Sequence, residues 1–229
     1  MAAGPTLSVI VPALEEVGRI GETLRPLQGW RHRGAEVIVV DGGSGDGTPE
    51  AARPWADRVR TAPRGRARQM NAGAAAARGL HLLFLHADTR PPPDADAVIG
   101  TALARRSWGR FDIRLSGADR LPLLRVVQAL MNHRSRLTGI ATGDQALFVR
   151  RAAFHRAGGF PDQPLMEDIA LSRRLKRCCG PPACPGGPAI TSSRRWEERG
   201  VLRTVGLMWG LRLGYFLGVP PPLLARLYR

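Results

Sequence analysis

Three short apolar runs, each followed by polar or turn-forming residues, dominate the first 90 residues of the chain. They are LSVIVPAL (7–14), AEVIVVD (35–41) and HLLFLHAD (81–88). Strands that are apolar at consecutive positions are buried on both faces, which is typical of a parallel sheet covered by helices. Residues 15–29, a stretch beginning at Thr48, and the alanine-rich residues 66–78 favour helices between them. This order predicts an α/β fold with a mostly parallel sheet flanked by helices.

The C-terminal part shows a different periodicity. In residues 201–218, apolar side chains recur at helical spacing, at Leu202, Val205, Trp209, Leu213 and Phe216. We favour a helix that packs this stripe against the core, while a helix lying on anionic lipid would show the same pattern. We therefore expect one domain at residues 1–200 and an amphipathic helix with a tail at 201–229.

Charge is the unusual property of the composition. The 229 residues include 34 basic and 19 acidic side chains, a net charge of +15, and Lys176 is the only lysine. Such a field attracts anions, whether nucleic acid, anionic lipid or a phosphorylated substrate. Aromatic residues are not interleaved with the basic ones, so we expect no nucleic-acid partner.

The same composition predicts the location of the protein. The sequence contains no run of 18 uncharged apolar residues, so we expect no membrane-spanning helix. Residues 1–12 do not resemble a secretion signal. The three cysteines lie within residues 178–184 and do not suggest a disulfide framework. We expect a cytoplasmic protein that can make peripheral contact with the inner face of the membrane.

The carboxyl ends of the three predicted strands carry the candidate chemistry. Glu16 follows the first strand, Asp41 opens the turn DGGSGDGT, and Asp88 ends the third strand. Because such ends meet at one edge of a parallel sheet, these carboxylates should line one crevice. The turn has neither the Gly-Lys-Ser/Thr ending of a P-loop nor a dinucleotide fingerprint. Asp41 can instead accept hydrogen bonds from a nucleoside, and Asp88 suits Mg²⁺ or Mn²⁺ bridging two phosphates.

Several motifs, in order, resemble those of family-2 glycosyltransferases with a GT-A (Rossmann-like) fold. SVIVPALEE, VIVVDGGSGDGT, GRARQMNAG and LLFLHAD resemble the nucleotide-binding half of that family. The segment at 143–177 resembles its acceptor region, and SSRRWEERG (192–200) resembles its C-terminal Arg-Trp element. LLFLHADT, TGDQ and PLMEDIALSRRL are most similar to a small bacterial subgroup named for arsenosugar biosynthesis.

The resemblance implies roles on the nucleotide side. Residues of the first strand end would line the nucleoside pocket, namely Pro12, Ala13 and Glu16. Asp41 would read the base, which we expect to be uracil, and Arg66 would lie near the nucleotide. Asp88 would be the metal-holding member of the Asp-x-Asp motif, where His86 replaces the first Asp. A neutral imidazole binds Mn²⁺ better than Mg²⁺, so either ion is expected with Mn²⁺ preferred.

On the acceptor side, the resemblance implies that Asp168 is the catalytic base. Sugar transfer with inversion needs a group that removes the acceptor proton, and Asp168 begins a predicted helix. Nearness to a helix N-terminus stabilises its anion, so neighbouring Glu167 and desolvation must restore its basicity. The other acceptor-side candidates are Asp144, Gln145, Arg195 and Trp196.

These features predict a metal-dependent, inverting glycosyltransferase of the hexosyltransferase type. It would use a nucleotide-sugar donor, with UDP expected, and a small-molecule or lipid acceptor. Ser192 stands where processive members commonly have Gln, which indicates a non-processive enzyme. The alternative is a basic module that binds RNA or anionic membrane and carries a degenerate nucleotide site.

Overall fold

The computed structural model describes residues 4–228. Residues 1–3 and residue 229 lie outside the described residues. Residues 1–3 begin the predicted domain and the N-terminal segment that does not resemble a secretion signal, and residue 229 ends the predicted tail. The strands are β1 (Leu7–Ala13), β2 (Glu36–Asp41), β3 (Arg58–Thr61), β4 (His81–Phe84), β5 (Thr89–Arg90), β6 (Trp108–Gly109), β7 (Asp112–Leu115), β8 (Phe148–Arg150) and β9 (Pro188–Thr191). The helices are α1 (Ile20–Leu24), α2 (Gln28–His32), α3 (Thr48–Ala52), α4 (Arg66–Ala76), α5 (Ala95–Arg105), α6 (Pro122–Thr138), α7 (Arg151–Arg156), α8 (Glu167–Cys179), α9 (Arg194–Arg199), α10 (Val201–Phe216) and α11 (Pro221–Tyr228).

The main sheet has six strands in the order β3-β2-β1-β4-β8-β6. Strands β3, β2, β1 and β4 run parallel, whereas β8 is antiparallel to both β4 and β6. Every residue of β1 and β2 is buried, as their uninterrupted apolar sequences predict. The prediction of a mostly parallel α/β sheet flanked by helices is therefore confirmed.

The strand ends differ in detail from the prediction. The third predicted strand stops at Phe84 because the chain turns, with the Thr89 amide donating to the His86 carbonyl at 3.1 Å. The helix predicted at 15–29 is divided by a 3₁₀ turn at Arg25–Leu27, where Pro26 removes a backbone donor. Strand β3 was not predicted, because its sequence RVRT is partly exposed at the sheet edge.

A second sheet, ordered β5-β9-β7, holds the turn after β4 against the C-terminal part of the chain. Thr89 and Thr191 hydroxyls lie 3.1 Å apart, and the Ser192 amide donates to the Asp88 carbonyl at 3.2 Å. Helix α9 starts two residues after Ser192. The sheet thereby places α9 next to Asp88.

Helix α10 corrects the interpretation that we favoured. Leu202, Trp209, Leu213 and Phe216 are 76%, 67%, 59% and 74% exposed, and of the predicted stripe only Val205 packs against an apolar cluster. The helix is apolar around most of its circumference, so periodicity did not identify the face that packs. The division at residue 200 remains a prediction.

Within residues 4–228, no helix is both long enough and apolar enough to cross a membrane.

Candidate active site

A cavity of about 220 Å³ lies at the carboxyl edge of the main sheet, between α4, α6, α8, α9 and α10. It is lined by both polar and apolar side chains, and it extends from the turn after β4 to the surface of α10. Eight predicted site residues line it together: Arg66, His86, Asp88, Asp144, Glu167, Asp168, Arg195 and Trp196.

The glycine-rich turn after β2 is held by its own first residue. Asp41 is 2% exposed, and its carboxylate accepts hydrogen bonds from the amides of Gly43 and Ser44 and from the Ser44 hydroxyl, at 2.5–2.9 Å. Gly43 and Gly47 adopt φ near +90°, which a residue with a Cβ rarely reaches. Asp41 thus fixes the turn, and reading of a base by its carboxylate remains a prediction.

The loop after β1 is bound to this turn. The Glu15 amide donates to the Ser44 hydroxyl at 2.9 Å, and the Glu16 amide donates to the Thr48 hydroxyl at 2.8 Å. From α4, the Gln69 side-chain amide donates to the carbonyls of Ala13 and Val40, at 2.8 and 2.9 Å. The ends of β1 and β2 therefore form one rigid edge.

Three residues predicted to line the nucleoside pocket belong to this edge. Pro12 and Ala13 are buried in β1, and they do not line the large cavity. Glu16 lies beside it, and its Oε2 is buried without a hydrogen-bond partner among residues 4–228. Burial raises the pKa of Glu16, against the charge of Arg19 and with the charge of Asp88. Their contact with a nucleoside remains a prediction.

His86 and Asp144 meet in the middle of the cavity. The His86 Nδ1 atom lies 3.5 Å from Asp144 Oδ1, and the imidazole packs against Gly143. A Cβ on Gly143 would lie 2.1 Å from His86 Cε1, so only glycine fits there. The pKa of Asp144 is lowered overall. Desolvation of the carboxylate raises it, but the interaction with His86 and the charge of Arg66 lower it by more.

Asp168 lies in the first turn of α8, next to the same loop. Its Oδ2 accepts a hydrogen bond from the Gly143 amide at 2.7 Å, and its Oδ1 accepts one from the Ile169 amide at 2.7 Å. Glu167 is 5% exposed, and burial together with the charge of Asp168 raises its pKa. The pair presents one oriented carboxylate, that of Asp168, and one buried carboxyl group with a raised pKa, that of Glu167.

Gln145 does not line the cavity, unlike its predicted acceptor-side partners. Its side chain is buried, and its Oε1 accepts a hydrogen bond from the Thr142 amide at 3.1 Å, which caps the 3₁₀ turn Gly143–Gln145. The Gln145 carbonyl accepts from the Phe111 amide at 2.8 Å. Its observed contacts shape the loop that carries Asp144.

The basic residues of the predicted site come from opposite walls. Arg66 begins α4 and is exposed, whereas Arg195 on α9 stacks its guanidinium over the Tyr228 ring at 4.6 Å. Burial and the charge of Arg66 lower the pKa of Arg195. Trp196 packs beside an apolar cluster that includes Leu124 and Val127 of α6.

A divalent cation fits this site as an ion shared with a substrate. Among residues 4–228, no group of three or more His, Cys, Asp or Glu side chains is arranged to hold a metal ion alone. Asp88 is exposed, and its carboxylate accepts only a long 3.4 Å hydrogen bond, from Thr89, so its oxygens can bind a cation. Mg²⁺ and similar ions bind in this way, through one or two carboxylates and substrate phosphates. The Nδ1 atom of His86 faces Asp144 and its Nε2 atom packs against Gly143, and binding of an ion by His86 remains a prediction.

Two arginines in the cavity wall were not among the predicted residues. Arg134 comes from α6 and Arg212 from α10. Their spacing along the chain matches no motif, and the strongly basic composition gave no reason to single them out. The expectation of an anionic partner was the only signal that pointed towards them.

A sequence model of glycosyl transferase family 2 matches residues 8–152, which is more than half of the chain. Uncharacterized glycosyltransferases of Mycobacterium tuberculosis, strains H37Rv and CDC 1551, are 35% identical over 132 residues. That match covers 53% of this chain and 50% of each relative, so the chain spans about half the length of the curated relatives it matches.

Solved structures share the fold. Staphylococcus aureus TarS 1–349 in complex with UDP-GlcNAc superposes with a TM-score of 0.66 at 18% identity, covering 82% of this chain and 58% of that one. The mannosyltransferase PcManGT of Pyrobaculum calidifontis, solved with GDP-Man and Mn²⁺, gives 0.66 at 24% identity, covering 99% and 70%. Glucosyl-3-phosphoglycerate synthase of M. tuberculosis, solved with Mn²⁺, UDP and glucosyl-3-phosphoglycerate, gives 0.60 at 19% identity, covering 82% and 71%.

Proposed function

The chain belongs to glycosyl transferase family 2, and on that premise we propose that it transfers a hexose from a UDP-linked donor to a small-molecule or lipid acceptor. One observation carries the proposal: a single cavity joins Asp88, at the nucleotide edge, to Asp168 at the start of α8. Relatives of the same fold were solved with UDP-GlcNAc, with UDP and with GDP-Man.

The proposed reaction is a single displacement. The acceptor hydroxyl oxygen attacks the anomeric carbon, and the bond from that carbon to the diphosphate oxygen breaks with its electron pair on the leaving group. Asp168 takes the hydroxyl proton as the new bond forms. Because the hydroxyl attacks the face opposite the leaving diphosphate, the anomeric configuration inverts. The hydrogen bonds from the Gly143 and Ile169 amides hold the Asp168 carboxylate in place and leave one lone pair on each oxygen.

On the nucleotide side, Pro12, Ala13, Glu16 and Asp41 would bind the nucleoside, and Arg66 would neutralise part of the diphosphate charge. Asp88, with His86 beside it, would hold a Mn²⁺ or Mg²⁺ ion. When bound, such an ion supplies Lewis-acid chemistry by neutralising charge on the leaving diphosphate. Asp144, Glu167, Arg195 and Trp196 would shape the acceptor side, with Gln145 supporting the loop.

We place the enzyme among non-processive transferases of the cytoplasm that can contact the inner face of the membrane. Three free cysteines agree with a reducing compartment. The resemblance of LLFLHADT, TGDQ and PLMEDIALSRRL to the subgroup named for arsenosugar biosynthesis supports a narrower assignment, which is part of this proposal.

A panel of nucleotides tests the proposal. Thermal unfolding of the full chain is followed with UDP, GDP and ADP, each with Mn²⁺, with Mg²⁺ and with EDTA. We expect UDP with Mn²⁺ to stabilise most, because the proposed donor is UDP-linked and Asp88 would hold the ion. A ligand at 100 times its Kd adds about 2.7 kcal/mol to the free energy of unfolding. A larger shift with GDP would change the donor assignment. No shift with any nucleotide, together with salt-sensitive binding of unrelated RNAs, would favour the basic binding module instead.

A further inference from the structure

Arg134 and Arg212 bring two positive charges into the cavity without a contact ion pair among residues 4–228. Within the described part of the chain, neither forms an ion pair within 4.0 Å, and the Nε and Nη2 atoms of Arg134 are buried with no hydrogen-bond partner. Burial and the charge of Arg212 together lower the pKa of Arg134 to about 10, against the charge of Asp168. Burial also lowers the pKa of Arg212, against the charges of Asp168 and Asp144. Buried donors of this kind are costly unless a ligand satisfies them.

The two guanidinium groups lie where the polar end of the cavity meets an apolar groove. The groove runs between α6 and α10 and is lined by Val127, Leu130, Met131, Val205, Met208 and Trp209. Leu130 is 55% exposed and Trp209 is 67% exposed, so the groove opens onto the surface. A ligand that fills both parts must have an anionic group joined to an apolar chain.

The surface around the mouth of this groove is apolar and basic. Helices α6, α10 and α11 carry further large exposed apolar side chains, namely Leu123, Val126, Leu137, Leu202, Leu213, Phe216, Leu223 and Leu227. Besides Arg212 in the cavity, α10 and α11 carry Arg203 and Arg226 at exposed positions, and neither helix contains an acidic residue. An apolar face that carries arginines and no acidic residue complements an anionic bilayer, where apolar side chains enter the interface and arginines meet lipid phosphates.

We infer that the acceptor is an anionic lipid: its phosphate-bearing head group binds between Arg134 and Arg212, its apolar chain leaves through the α6–α10 groove, and the exposed face of α10 rests on the bilayer. This inference rests on the proposed function, because it identifies the class of acceptor for the same site. The anionic group is a recognition element, and the transfer step remains the one described above.

Calorimetry with small amphiphiles tests the subsite. The full chain, saturated with UDP and Mn²⁺, is titrated with octyl phosphate, inorganic phosphate and octanol. Octyl phosphate should bind at least about tenfold more tightly than either fragment, because it alone occupies both parts of the cavity. Arg134→Gln and Arg212→Gln should each weaken its binding by about 10- to 100-fold, the loss of hydrogen bonds to a charged group. Arg203→Gln, an exposed position on α10, is the matched control and should bind normally.

The outcomes separate the inference from the proposed function. If UDP binds and stabilises the protein while octyl phosphate does not bind, the inference is overturned and the proposed function stands. If inorganic phosphate binds as tightly as octyl phosphate, the acceptor is a free phosphorylated molecule and the lipid is excluded. Competition between octyl phosphate and UDP would place the phosphate in the donor subsite and would also overturn the inference. Each variant is checked for an unchanged UDP shift, which shows that it folds.

Co-sedimentation with vesicles tests the surface itself. We expect binding to vesicles of phosphatidylcholine with phosphatidylglycerol, release at high salt, and little binding to phosphatidylcholine alone. Phe216→Ser should weaken this binding, whereas Leu80→Ser, at an exposed apolar position just before β4, should leave it unchanged. Equal binding of wild-type protein to neutral and anionic vesicles, or no binding to either, would contradict the bilayer part of the inference.

Discussion

The two sides of the site satisfy their polar groups in different ways. The donor edge, formed by residues 12–16 and 41–48 together with Asp88, borders the cavity, and there the carboxylates of Asp41 and Asp46 accept several hydrogen bonds from neighbouring amides and hydroxyls. At the acceptor wall, formed by Arg134, Glu167 and Arg212, burial shifts all three pKa values towards the neutral forms. Apart from Glu16 and Asp88, the donor edge is preformed, whereas the acceptor wall has charges and donors that a ligand would satisfy.

The largest effect, a loss of turnover, should come from changing Asp168, which lies between the donor edge and the acceptor wall. Asp168→Asn keeps the size of the side chain but removes the proton acceptor, so turnover should fall by about 10²–10⁴-fold. UDP binding should stay near normal, since Asp168 is on the acceptor side. Rates of donor hydrolysis or sugar transfer and calorimetric titration with UDP measure the two effects.

Asp162→Asn is the matched control, because Asp162 is exposed and pairs with Arg68 outside the cavity. If Asp168→Asn kept most of its turnover, the base would have to be Asp144 or Glu167. If it lost UDP affinity as well, Asp168 would support the donor edge rather than act as the base.

The next effect concerns the donor edge. UDP with Mn²⁺ at 100 times its Kd should stabilise the wild type by about 2.7 kcal/mol. Asp88→Asn should keep little of this stabilisation, because one metal-binding carboxylate is lost. EDTA should reduce the wild-type shift to the same extent. Asp94→Asn, at an exposed position before α5, should keep the full shift. Full stabilisation of the wild type in EDTA would mean that no metal bridges the diphosphate.

The donor edge was the part that the sequence could predict. Its residues follow three predicted strands with clear apolar runs, so Asp41 and Asp88 could be placed at one edge of the sheet. The exact end of β4 was not predictable, because the turn at residues 86–89 depends on a hydrogen bond within a segment that still contains apolar residues.

The acceptor wall could be predicted only in part. The Glu167-Asp168 pair was recognised by resemblance, but Arg134 and Arg212 come from two helices that meet only in the folded chain. Their distinguishing property is burial in the cavity without a contact ion pair among residues 4–228, which depends on three-dimensional packing. In the same way, the apolar sequence of α10 did not identify its buried face. The side chain of Gln145 accepts a hydrogen bond within its own loop, and its role on the acceptor side remains a prediction.

A third prediction tests how tightly the loop at Gly143–Gln145 packs against His86. Gly143→Ala would place a Cβ 2.1 Å from His86 Cε1, so the loop or the imidazole must move. We expect a loss of about 1–3 kcal/mol in the free energy of unfolding, the usual cost of overpacking. Turnover should also fall, since the Gly143 amide holds Asp168.

Gly100→Ala provides the contrast for this substitution. A Cβ there meets no atom within 4 Å, and Gly100 lies inside α5, so alanine should stabilise the protein by about 0.5–1 kcal/mol. Denaturant unfolding of both variants gives the comparison. An unchanged stability and turnover for Gly143→Ala would show that the loop is adaptable rather than fixed.

The smallest effect is expected on the outer side of the acceptor wall, and it distinguishes the two interpretations of α10. Leu213 is 59% exposed and Leu211 is 2% exposed, two residues apart on one helix. Leu213→Ala should change the free energy of unfolding by no more than about 0.5 kcal/mol, as surface substitutions usually do. Leu211→Ala should cost about 2–5 kcal/mol, because it leaves a cavity among Met166, Ile169 and Leu224. Denaturant unfolding in the absence of lipid measures both. If Leu213→Ala were as costly as Leu211→Ala, the face of α10 that we describe as exposed would be covered in solution, and it would not be free to meet a bilayer.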